Sequence, residues 1–112
     1  MKIYHNPRCS KSRQTLQLIQ ENNKDVEVVE YLKQGPTYEE LEDLLMKLNK
    51  KPEEIIRKGE KLFKEKFKSF SFNREEWIQV LVENPILIER PIVVRGNKAV
   101  IGRPPENVKE LF

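Results

Sequence analysis

The stretch Lys2-Ile3-Tyr4-His5-Asn6-Pro7-Arg8-Cys9-Ser10-Lys11-Ser12-Arg13 decides how the chain begins to fold. Lys2–His5 predicts a strand, and the residues from Ser10 to Asn23 predict a helix with Leu16 and Ile19 on its inner face. The stretch is therefore the junction at which a strand passes into a helix.

Cys9 lies at this junction and is the only cysteine of the chain. The first N–H groups of a helix lack intrahelical partners, and the positive end of the helix dipole lies there, so both favour a thiolate. A lone cysteine is most often a small buried apolar residue. A position between Arg8 and Lys11 does not suit an apolar core. We therefore predict a reactive thiolate at Cys9, stabilised by the positive charge of Arg8 and by the Ser12 hydroxyl.

The remaining strand signals place this junction in a mixed sheet. Val26–Tyr31 alternates in polarity, and a strand that follows a right-handed helical crossover pairs in parallel with the first strand. Ile92–Arg95 and Lys98–Ile101 flank Gly96-Asn97, a favoured two-residue hairpin loop. A last helix is predicted to start at Arg103.

The segment between the two pairs of strands carries helical signals throughout. Four helix starts are visible: Thr37 with Glu40, Pro52 ahead of Gly59, Lys58–Lys68, and Asn73 with Glu76. We therefore predict one α/β domain over residues 1–112. Its mixed sheet follows the order βαβ…ββα, with a helical insertion at about residues 37–84 between the second and third strands.

Composition excludes several classes of protein. The 21 basic and 18 acidic residues give a net charge of +3, which is too small by itself to indicate nucleic-acid binding. No apolar run approaches the ~18 residues of a membrane span. One cysteine excludes an intramolecular disulfide and suits a reducing compartment. We expect a cytoplasmic protein with no metal site, no membrane contact and no direct nucleic-acid partner.

Three stretches resemble the glutaredoxin-linked arsenate reductases and their relatives, the Spx-type disulfide-stress regulators. They are Ile3–Arg13, Asn84–Val94 and Ile101–Pro104, in that order over essentially the whole chain. The resemblance implies a thioredoxin-like fold with a helical insertion. It also implies a structural role for Pro91, preceded by a cis peptide bond and placed opposite the nucleophilic cysteine.

The same resemblance implies the reduction of arsenate, or a similar oxyanion, to arsenite. In this family a cysteine thiolate, here Cys9, attacks arsenic. Glutathione is the co-substrate, glutaredoxin is the partner, and no cofactor is tightly bound. By motif, the three arginines that hold the oxyanion correspond to Arg57, Arg90 and Arg103. Guanidinium groups suit that role because their paired donors match the oxygens of such anions.

Two alternatives stay open at this point. The regulators act by contacting RNA polymerase and carry a second cysteine where this chain has Ser12, so the chain lacks their disulfide switch. Well-characterised reductases have Gly-Thr-Ser or similar after the cysteine and a small residue before it, whereas Arg8, Ser10 and Lys11 flank Cys9 here. A generic glutathione-linked thiol reductase is the other alternative. His5 either tunes the thiol or forms a structural hydrogen bond.

Overall fold

The computed structural model describes all residues, Met1–Phe112. The chain divides into two compact units: the first comprises Met1–Gln34 and Arg90–Phe112, and the second comprises Gly35–Glu89. The insertion predicted at about residues 37–84 falls inside the second unit. That residues 1–112 form one domain stays a prediction.

The first unit contains a four-stranded sheet in the order β2-β1-β3-β4. Its strands are β1 (Lys2–Tyr4), β2 (Glu27–Val29), β3 (Ile92–Arg95) and β4 (Lys98–Ile101). β1 is parallel to β2 and antiparallel to β3, and β3 is antiparallel to β4. The predicted mixed sheet is confirmed, as is the hairpin, in which Gly96 has a φ of +61° that favours glycine.

A helix and a C-terminal 3₁₀ helix cover one face of this sheet. They are α1 (Ser10–Glu21) and the 3₁₀ helix Pro105–Leu111. The registers Ile3↔Val93 and Val93↔Val100 place these three side chains on the same face. The buried core there consists of Ile3, Ile19, Val93, Val100, Val108 and Leu111. Burial of these apolar side chains fixes the start of α1 at the carboxyl end of β1.

The second unit is helical, as the insertion predicts. Its helices are α3 (Tyr38–Leu48), α4 (Lys61–Lys66) and α5 (Arg74–Glu83), with 3₁₀ helices at Pro52–Ile55 and Pro85–Leu87; the short α2 (Tyr31–Gln34) belongs to the first unit. Both predicted capping boxes are present, at Thr37 and at Asn73. None of the helices is long and apolar enough to cross a membrane.

Two predicted elements have different ends in the structure. The strand predicted over Val26–Tyr31 stops at Val29, because the Glu30 carbonyl accepts hydrogen bonds from the N–H groups of Lys33 and Gln34 and starts a helical turn. Tyr31 consequently lies in α2, where its side chain is buried.

The helix predicted from Pro52 to Gly59 is only one 3₁₀ turn that ends at Ile55. A contact distant in sequence ends it: Ile56 forms an antiparallel bridge with Ile88, and the Arg57 N–H donates to the Leu87 carbonyl at 2.7 Å. The last predicted helix is likewise a 3₁₀ helix, which begins at Pro105 rather than Arg103.

Candidate active site

Cys9 is the N-cap residue of α1. Its backbone is extended, with φ −97° and ψ 122°, and its carbonyl accepts the first helical hydrogen bond from Arg13 N–H at 3.0 Å. The Cys9 N–H donates to the Asn6 carbonyl at 3.0 Å, so this N–H points towards the loop between β1 and α1. The side chain is partly exposed. The sulfur is therefore accessible at the start of a twelve-residue helix.

Four donors near the sulfur lower its pKa. Burial by itself raises the pKa of the Cys9 thiol, because a charge is poorly solvated there. The donors that outweigh burial are the N–H groups of Ser12 and Lys11 and the guanidinium groups of Arg90 and Arg103. The net result is a thiol pKa below its ordinary value. The thiolate is the nucleophilic form of cysteine, so this environment favours attack on an electrophile.

We expected the Ser12 hydroxyl to stabilise the sulfur, but Ser12 acts on it through its backbone N–H. Its side chain is fully buried, and its Oγ lies 2.6 Å from His5 Nδ1. The Asn6 N–H donates to the same oxygen at 3.0 Å. The Ser12 hydroxyl is thus engaged with His5 and Asn6, and the direction of its hydrogen bond with His5 depends on the tautomer of the imidazole. Burial lowers the pKa of His5, as does Arg13, while Glu30 opposes them.

Arg90 and Arg103 lie beside Cys9. Arg103 Nη1 is 3.6 Å from the Cys9 sulfur and 3.3 Å from the Arg90 carbonyl oxygen. The Arg90–Pro91 peptide bond is cis, and so is the bond between Arg103 and Pro104. Two residues more than eighty positions from Cys9 in sequence thus place guanidinium groups at one thiol.

Two residues that the sequence analysis did not single out, Thr15 and Asn107, hold this arrangement together. Asn107 Nδ2 donates to the Ile101 carbonyl at 3.1 Å and to the Arg103 carbonyl at 3.2 Å. The buried Thr15 hydroxyl contacts the carbonyl oxygens of Lys11 and Gly102, at 2.8 and 3.2 Å. Thr15 could have been recognised from the sequence, because it is a polar residue on the inner face of a predicted helix.

Two predicted site residues have other surroundings. Arg8 is exposed; its N–H donates to Asn6 Oδ1 at 3.0 Å, and its guanidinium is not among the groups that lower the pKa of Cys9. Arg57 belongs to the second unit, where its Nε is 3.1 Å from Glu60 Oε1. The roles predicted for Arg8 and Arg57 stay predictions.

The first unit thus offers a nucleophile and an anion-binding environment at one place. Helix N–H groups and guanidinium groups both stabilise oxyanions, and both surround Cys9. The charges that favour the thiolate also attract an anionic electrophile towards it. No group of three or more His, Cys, Asp or Glu side chains is placed to hold a metal ion.

Comparisons with known proteins match nearly the whole chain. The model of the ArsC family matches residues 4–111. The chain is 50% identical to the uncharacterized protein YfgD of Escherichia coli (strain K12) over 113 residues, covering 99% of this chain and 95% of that protein. It is 39% identical to an arsenate reductase of Neisseria meningitidis serogroup A over 114 residues, covering 100% and 97%.

Solved structures show the same fold. An arsenate reductase from Vibrio cholerae superposes with a TM-score of 0.94 at 40% identity, covering 100% of this chain and 98% of that chain. The match includes the residues of both units. The predicted thioredoxin-like fold is therefore confirmed.

Proposed function

The chain belongs to the ArsC family, and from that premise we propose that it reduces arsenate to arsenite through the Cys9 thiolate. The observation that carries the proposal is the position of Cys9 at the start of α1, with Arg103 Nη1 3.6 Å from its sulfur. Relatives named arsenate reductases at 39% and 40% identity support the same substrate.

The first step uses the residues around Cys9. The thiolate attacks arsenic and forms a sulfur–arsenic bond, while one oxygen leaves as hydroxide and takes up a proton to become water. Arsenic keeps its oxidation state in this step. Arg90 and Arg103 neutralise the oxyanion as it approaches, and the N–H groups of Lys11 and Ser12 stabilise the sulfur before attack.

The reduction itself needs two electrons from thiols. We propose glutathione as the co-substrate, because Cys9 is the only cysteine and has no partner in its own chain. Glutathione attacks arsenic and displaces a second oxygen as water. The glutaredoxin thiolate then attacks the glutathione sulfur, so that a mixed disulfide forms and the electron pair of the sulfur–arsenic bond stays on arsenic. Hydrolysis of the Cys9–arsenic bond releases arsenite. The net reaction converts arsenate and two thiols into arsenite, one disulfide and water, and it regenerates the Cys9 thiol.

Arg57 is proposed as a third oxyanion contact on the strength of its motif alone. Its present partner is Glu60, so the proposal requires that the guanidinium exchange this carboxylate for the oxyanion. Pro91 is proposed as a structural residue at the end of the loop that carries Arg90.

A regulator that contacts RNA polymerase is the alternative function. A disulfide switch needs a second thiol, and the hydroxyl of Ser12 is engaged with His5 and Asn6 at the corresponding position. No cysteine could replace Ser12 and keep both hydrogen bonds at full strength, because a thiol is a weak donor and acceptor. We therefore favour the enzyme.

The decisive experiment is an assay of arsenate-dependent NADPH oxidation, coupled through glutathione, glutathione reductase and glutaredoxin. We expect turnover with the wild type and none with Cys9→Ser. The Lys109→Gln variant, which removes an exposed cation of the C-terminal 3₁₀ helix, is a control that keeps the sulfur and should retain most activity. Absence of turnover in the wild type, together with co-purification of polymerase subunits, would favour the regulator instead.

A further inference from the structure

The segment Lys66–Arg74, from the end of α4 to the start of α5, carries a local charge of +3. It contains three of the 21 basic residues and none of the 18 acidic ones, so the remaining residues balance at 18 of each sign. Lys66 and Lys68 are exposed. The segment is therefore locally basic, as is Arg8–Arg13 at Cys9, which also holds three basic residues and no acidic one.

The same nine residues contain three phenylalanines whose rings form a cluster. The rings of Phe70 and Phe72 are stacked, with centroids 5.1 Å apart and planes within 7° of each other. Phe67 completes the cluster at 6.5 Å from Phe70 and 6.4 Å from Phe72. We call Lys66–Arg74 with these rings the Phe–Lys patch.

The patch is buried at one end and open at the other. Phe72 meets Trp77 edge-on at 4.9 Å, and the Trp77 side chain is only 6% exposed. Phe70 is 55% exposed and is the only aromatic residue among the large exposed apolar side chains. The Phe70 N–H donates to the Phe67 carbonyl at 3.1 Å, which holds the turn between them. This turn and the stacking on Phe72 restrain the exposed ring, which lowers the entropy cost of binding.

We propose that the Phe–Lys patch binds single-stranded nucleic acid, with a base stacked on Phe70 and phosphates beside Lys66 and Lys68. Proteins that bind single strands combine cationic side chains along the backbone with aromatic rings on which bases stack. Every base has a flat face, so this mode needs no base-specific donor or acceptor. The proposal is independent of arsenate reduction, and it replaces the expectation of no direct nucleic-acid partner, which rested on the net charge of the whole chain.

The chemistry of the patch favours a nucleic-acid strand over a protein or a membrane. A standard protein interface needs about 800 Å² on each partner with an apolar centre from which lysine is depleted, whereas here a single well-exposed ring lies among lysines. Binding to a membrane surface usually uses a long amphipathic helix, and α4 has only six residues. A duplex would keep its bases stacked and out of reach of Phe70.

The test is fluorescence anisotropy with a fluorescein-labelled oligothymidylate of about 15 nucleotides, a length of the order of one binding site, titrated with the wild-type protein. We expect binding that weakens as salt rises from about 50 to about 200 mM. Phe70→Ala should weaken binding by between about fivefold and about a hundredfold, the range for loss of one stacked base. Phe70→Leu, which keeps apolar bulk without a π face, should lose a similar factor.

Matched controls separate stacking and charge from general effects. Met46→Ala removes another exposed apolar side chain, 71% exposed on α3, and should leave the affinity unchanged. Lys68→Gln should flatten the salt dependence by about 0.7 in the log–log slope, and Lys109→Gln should not. Cys9→Ser should bind as the wild type does, so that failure of the reductase proposal would leave this result intact.

Three outcomes would overturn the proposal. They are no binding of the oligonucleotide, equal binding by Phe70→Ala and wild type, or stronger binding of oligoglutamate or of phosphatidylglycerol vesicles than of the oligonucleotide. The second outcome would leave a purely electrostatic contact, and the third would identify an acidic protein or a membrane surface as the ligand.

Discussion

Gly102 packs so closely against Thr15 that there is no room for a side chain at position 102: a Cβ atom there would lie 2.6 Å from Thr15 Oγ1. It would also lie 2.9 Å from Pro91 Cγ. The Gly102 N–H donates to the Pro91 carbonyl at 2.9 Å. The residue before Arg103 is therefore packed at once against α1 and against the proline that follows Arg90.

Gly102→Ala should destabilise the protein by about 1–3 kcal/mol, the usual cost of forcing extra atoms into a packed site. Urea unfolding measures the change. Gly59→Ala is the matched control, because a Cβ at Gly59 meets nothing within 4 Å and its φ is not positive. Equal stability of Gly102→Ala and wild type would show that α1 can shift away without cost.

The rate of Cys9 alkylation by iodoacetamide should reach its half-maximum below the ordinary thiol pKa, because four donors favour the thiolate. Arg90→Ala and Arg103→Ala should each move this midpoint upward. Arg8→Ala tests the role predicted for Arg8; because its guanidinium is exposed and is not among the groups that lower the pKa of Cys9, we expect a smaller shift. A wild-type midpoint at or above the free-thiol value would remove the basis for nucleophilic attack.

Sulfate or arsenate, titrated by NMR, should shift the amide signals of residues 9–13. Arg103→Ala should weaken this binding by about 1.5–3 kcal/mol, because a charged hydrogen bond to the anion is lost. Arg95→Ala is the control; its Nη1 donates to the Leu111 carbonyl at 2.6 Å, so it should affect stability but not anion affinity. The assignment is wrong if both variants bind the anion as the wild type does.

Stability should fall in acid through His5. Its pKa is lowered in the folded protein, chiefly by burial, so the unfolded chain binds a proton more readily. The contribution is complete above the unfolded value of 6.5 and is lost as pH falls from there through the folded pKa. Urea unfolding of wild type and His5→Gln between pH 7.5 and 5 should show a shallower acid slope for the variant. Parallel slopes would contradict the prediction.

Asn107→Ala should cost about 0.5–1.5 kcal/mol of stability for each hydrogen bond lost to the carbonyls of Ile101 and Arg103. If these bonds also position Arg103, the alkylation midpoint of Cys9 should rise in the same variant. Asn84→Ala removes one side-chain bond to a helix carbonyl in the second unit and serves as the control for stability alone. An unchanged midpoint in Asn107→Ala would restrict Asn107 to a structural role.

Local signals explain what the sequence predicted correctly. The Thr37 and Asn73 capping boxes form between residues three apart, and the hairpin turns on Gly96 and Asn97, so neighbouring residues suffice to predict them. The helix from Pro52 was predicted too long because Ile88, more than thirty residues away, captures Ile56 in a bridge.

The site follows the same division. Local features pointed to Cys9, since a helix start offers free N–H groups and the flanking Arg8 and Lys11 do not suit an apolar core. Arg90 and Arg103 came from family resemblance, because nothing near them in sequence indicates that they meet a thiol. The Ser12 hydroxyl was assigned to the sulfur because the competing partner, His5 Nδ1 at 2.6 Å, becomes visible only once the loop is folded. Asn107 had no sequence signal that separates it from a surface polar residue.

The sheet order also has a consequence for synthesis on the ribosome. β1 lies between β2 and β3, so its antiparallel partner is translated about ninety residues later than β1 itself. Chains grow from the N-terminus, at about 5–20 residues per second. A nascent chain therefore displays Cys9 for several seconds without either guanidinium of Arg90 or Arg103. During that interval the sulfur is an ordinary, mostly protonated thiol. Cellular oxidants therefore encounter Cys9 before Arg90 and Arg103 have lowered its pKa.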